Sequence, residues 1–74
     1  MDRKDIFYNI TQDIDHILRR PYGVAPWSKH EFYGILLESV DTLWEMLKNK
    51  APDSMIEAQA IHVAAVIASY LETK

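Results

Sequence analysis

Apolar residues fall in three blocks at the three- and four-residue steps of α-helices, with proline-containing segments between them. In the first block Ile6, Ile10, Ile14 and Ile17, joined by Phe7 and Leu18, make one stripe, which predicts a helix over about 5–20. Asp2 and Asp5 near its start and Arg19 and Arg20 at its end suit the helix dipole, and Pro21 is expected to stop it. The segment Pro21-Tyr22-Gly23-Val24-Ala25-Pro26-Trp27 reads as a stiff, aromatic loop.

The second helix is predicted over 28–49. Ser28-Lys29-His30-Glu31 has the form of a capping box, in which serine and glutamate side chains each take an unpaired backbone N–H. Its apolar positions run from Phe32 to Leu47 and cover more than half of the circumference, so this helix is expected to touch neighbours on two sides. Lys48 to Asp53 forms a second loop. The third helix is predicted over 53–72, with Ser54 and Glu57 repeating the capping-box spacing. It is apolar nearly all round, which predicts burial nearly all round.

The expectation is therefore a single all-α domain over 1–74, built from three helices. Seventy-four residues bury a small core, and the chain has no cysteine to staple it. Packing in a homo-oligomeric bundle is the remedy the pattern points to. The net charge of −3 and the scattered lysines give no basic stripe, so nucleic acid is not an expected partner. The charged start lacks the apolar run of a signal peptide, and no apolar run is read as a membrane span, because Gln59, His62 and Ser69 interrupt the longest one. A cytoplasmic protein without a membrane contact is expected.

Chemistry has few candidates. Glu38, Asp41 and Glu45 share one face of the second helix and form a possible Mg²⁺ set, with a solvated acidic face as the plainer reading. Ser39 lies in the apolar arc of the same helix and Gln59 among Met55, Val63 and Val66 of the third; each needs a hydrogen-bond partner, either across a helix pair or in a site. His62 falls on a small-residue stripe with Ala58, Ala65 and Ser69. Trp27 either closes one end of the core or faces a ligand. There is no glycine-rich phosphate loop, no nucleophile–base constellation and no pair of histidines at helical zinc spacing.

The stretch from His30-Glu31 through Glu38-Ser39-Val40-Asp41-Thr42-Leu43-Trp44-Glu45 resembles small, often phage- or prophage-encoded, MazG-like proteins. Their segment reads as a histidine–glutamate pair, an apolar run, then Glu-Glu-Val-Asp-Glu-Leu-Trp. Glu57-Ala58-Gln59-Ala60-Ile61-His62-Val63-Ala64-Ala65-Val66 is similar to their later helix. The resemblance implies an oligomeric all-α fold in which inward acids bind Mg²⁺ and a nucleoside triphosphate is cleaved to monophosphate and pyrophosphate. In this chain the family's acidic positions fall on Ser39, Thr42, Gln59 and His62, none a carboxylate. Mg²⁺ wants charged oxygen ligands. The resemblance thus implies a non-catalytic, metal-free protein that binds or sequesters a nucleotide or nucleotide-like ligand. Ser39, Thr42, Gln59 and His62 would line its pocket, and Trp27, Lys29 and His30 would stand at the rim. The alternatives are an active enzyme with Mg²⁺ on Glu38, Asp41 and Glu45, and an interaction module that docks on a host protein without a small ligand.

Overall fold

The computed structural model describes residues 1–19 and 27–73. They form three helices, α1 (Arg3–Leu18), α2 (Lys29–Lys48) and α3 (Asp53–Glu72), and contain no strand. The loop expected over 21–26, with Arg20 before it, lies outside the described residues.

Each boundary has a local cause. Asp2 caps α1 by accepting a hydrogen bond from the Asp5 N–H at 2.9 Å, so the helix starts two residues before its predicted beginning. It ends at Leu18, ahead of the expected stop at Pro21, with Arg19 as its C-cap. The capping box of α2 forms as predicted: the Glu31 N–H donates to Ser28 Oγ and the Ser28 N–H to Glu31 Oε1, both at 3.1 Å. The predicted Ser54–Glu57 box does not form. Pro52 is the N-cap of α3, and its carbonyl accepts from the N–H groups of Met55 and Ile56 at 3.0 and 3.2 Å. Proline has its φ already set for this entry, so the helix is under way before Ser54 can cap it.

α3 is the shared partner. Both α1 and α2 pack on it, and they do not pack on each other. The core is small: Ile17, Trp27, Ala65 and Val66 are buried, with Ile10, Ile14, Phe32, Ile35, Leu36 and Tyr70 partly buried against them. The Phe32 and Tyr70 rings stack with centroids 4.1 Å apart and planes 11° from parallel, which ties the start of α2 to the end of α3.

Two expectations about apolar surface need correction. α3 is not covered all round: Met55, Ala60, Ile67 and Leu71 are exposed, because the two neighbouring helices do not enclose it. By length and composition alone α3 is also apolar enough to cross a membrane, since Gln59, His62 and Ser69 are too few to offset the rest of its residues. In the folded chain it is the central helix of the bundle.

Candidate functional site

The polar side chains of α3 are positioned by the two helices flanking it. Toward α2, Gln59 donates its Nε2–H to the backbone carbonyl of Ser39 at 2.9 Å. Ser39 is buried, and its own hydroxyl is already spent on the Leu36 carbonyl at 2.8 Å. Toward α1, His62 Nδ1 pairs with Asp13 Oδ2 at 2.9 Å, and both side chains are partly buried. Consecutive turns of α3 are thus fastened to opposite neighbours.

Between α1 and the first half of α3 runs an open groove of about 740 Å³. Asn9, Gln12, Asp13 and His16 form its α1 wall, Gln59 and His62 stand on the α3 wall, and Met46 of α2 reaches one edge. Ser54 and Met55 extend it to the beginning of α3, which has no side-chain cap. The volume is within the range of small-molecule sites, although the groove is wide rather than enclosed.

The residues singled out from the sequence separate into three places. Gln59 and His62 share the groove wall. Ser39 meets Gln59 only through its backbone carbonyl, inside the α2–α3 contact. Thr42 is on the exposed side of α2, its hydroxyl bonded to the Glu38 carbonyl at 2.9 Å, so it does not join the other three. Trp27 is 8% exposed and belongs to the core, as the plainer reading of it expected. Lys29 and His30 are exposed in the first turn of α2 and do not line the groove.

Glu38, Asp41 and Glu45 are exposed, and Glu45 Oε1 pairs with Lys48 Nζ at 2.7 Å. Among the described residues no group of three His, Cys, Asp or Glu side chains is arranged to hold a metal ion. The α1 contributions, Asp13 and His16, were missed in the sequence. A single aspartate on a polar helix face carries no signal until the opposite helix is known. No family model matches the chain, and neither the curated proteins nor the solved structures contain a match.

Proposed function

We propose that this is a non-catalytic, MazG-like helical protein that binds a nucleotide or nucleotide-like ligand in the groove between α1 and α3. The observation that carries the reading is the shared position of Gln59 and His62 on the groove wall. Both occupy places where the resemblance expects acids. Ser39 and Gln59 also come together across α2 and α3, where such a family would hold metal, and they are joined there by a hydrogen bond between uncharged groups. A contact without a carboxylate supports binding over metal-assisted phosphoryl transfer.

The groove offers distinct chemistry along its length. The amides of Asn9, Gln12 and Gln59 suit the edge of a base, and Asp13 suits a ribose hydroxyl or an exocyclic amine. A phosphate would go toward Ser54 and Met55, where the N-terminal end of α3 carries partial positive charge. Asp53 and Glu57 oppose a highly charged anion, which favours a ligand with few phosphates.

A ligand that binds only the folded chain raises its melting temperature, by an amount equivalent to about 2.7 kcal/mol at a hundredfold excess over Kd. The test is a thermal-shift panel of nucleosides and of nucleoside mono-, di- and triphosphates, with and without Mg²⁺. We expect a shift with one class, independent of Mg²⁺, weakened in Gln12→Ala, and no pyrophosphate release. If no member of the panel moves the melting temperature at millimolar concentration, the nucleotide reading fails. Pyrophosphate release that Glu38→Ala abolishes would instead restore the Mg²⁺ enzyme. The second reading, an interaction module without a small ligand, is favoured by the apolar residues exposed along α2.

A further inference from the structure

Along the outside of α2, Tyr33, Leu37, Val40, Trp44 and Leu47 are each between 41 and 63% exposed. Their spacing is four, three, four, three. That is the alternation of the two apolar positions of a heptad repeat, the pattern by which one helix seats its side chains between those of another. The stripe is distinct from the core-facing residues of the same helix. Phe32, Ile35 and Leu36 pack on the buried cluster, whereas the stripe lies to one side of them, and α1 makes its helix contacts with α3, not with α2.

We infer that this stripe is the interface with a second copy of the chain, and that the two α2 helices pair antiparallel. The area is sufficient. With about 150–250 Å² for each aromatic side chain and somewhat less for each aliphatic one, the exposed fractions amount to about 500 Å² per copy, or about 1,000 Å² per pair, the size a specific interface needs.

The stripe is also complementary to its own reverse. Its aromatics stand toward the two ends and its smaller residues, Leu37 and Val40, in the middle. Reversed on itself, it sets Leu37 against Val40 of the second copy and Tyr33 against Trp44 of the second copy, so the layers keep similar widths. Gly34, on the same helix, has open space where a Cβ would stand.

The test is the mass of the 74-residue chain by sedimentation or light scattering at micromolar concentrations. We expect twice the 8.6 kDa of one chain. Leu37→Lys and Trp44→Lys should each weaken association on the order of 100-fold or more, because they would strand a charge in a dry contact. Both residues are exposed in the single chain, so helical content by circular dichroism should be retained. Leu71→Lys, on the open face of α3, should leave the mass unchanged. A wild-type monomer, or a dimer that survives both α2 variants while Leu71→Lys breaks it, would overturn the inference. The native chain has no cysteine, so orientation is also readable. Tyr33→Cys mixed with Trp44→Cys should form a cross-linked pair, and self-cross-linking of Tyr33→Cys alone would refute the antiparallel order. These residues are separate from the groove, so this test and the nucleotide screen fail independently.

Discussion

Ser69 has no exposed surface, and its hydroxyl has no hydrogen-bond partner, whereas the hydroxyl of Ser39, also buried in a helix, bonds back to the Leu36 carbonyl. A serine inside a helix usually recovers the lost water in that way. Where it does not, the unpaired group costs about 1–3 kcal/mol. Ser69→Ala removes the orphan and places a better helix former there, so we predict stabilisation of about 1 kcal/mol, measured as a higher urea midpoint with an unchanged slope. A lower midpoint would mean that the hydroxyl has a partner in solution. The sequence revealed Ser39 and Gln59 as polar residues set in apolar arcs, and each does find a partner. It did not reveal that Gln59 would meet a backbone carbonyl while the serine turned to its own helix. That choice depends on the separation of two helices, which no single-helix pattern contains.

At the C-terminal end of α2 the chain makes a tight reversal. The Ala51 N–H donates to the Met46 carbonyl at 2.9 Å and the Lys50 N–H to the Leu47 carbonyl at 3.3 Å, the paired bonds of a Schellman motif, with Pro52 following. The motif needs a left-handed residue at its turn, and Lys50 fills that place with φ at 55°. A side chain with a Cβ pays for that conformation and glycine does not. Lys50→Gly should therefore stabilise the chain by about 0.5–1 kcal/mol, less whatever the lysine charge contributes at the helix end. Equilibrium unfolding of the two proteins checks this, and a loss of stability would show that the lysine makes a contact worth more than the strain. At this scale the sequence was most informative where a cap is local, as at Ser28-Lys29-His30-Glu31. It misled at Ser54 and Glu57, where the same spacing occurs one turn inside a helix that Pro52 had already begun. The broad apolar arc of α2 called for neighbours on two sides, but within the chain α2 packs on α3 alone and its outer apolar residues stay exposed. Which part of the arc faces α3 and which faces outward was not legible, because circumference alone does not locate the neighbour.

Among the described residues four apolar side chains are buried and a dozen large ones are exposed. Domains of this size bury only about 60% of their unfolded surface and have little margin, so an association that hides the α2 stripe bears directly on whether the protomer is folded. Mass action gives this a measurable form. When a dimer unfolds to two separate chains, a tenfold rise in concentration stabilises the folded pair by about 1.4 kcal/mol, and the melting temperature climbs with it. Heating the protein at concentrations spanning two decades should therefore show a steady upward drift of several degrees. The same series on Leu37→Lys should be flat, because its folded form is a lone chain whose unfolding does not change the number of particles. A flat series for the wild type, at concentrations where its mass is that of a dimer, would mean that the pair separates before the protomers unfold. The groove between α1 and α3 would then owe nothing to association, and any ligand there would have to be judged on a chain that folds by itself.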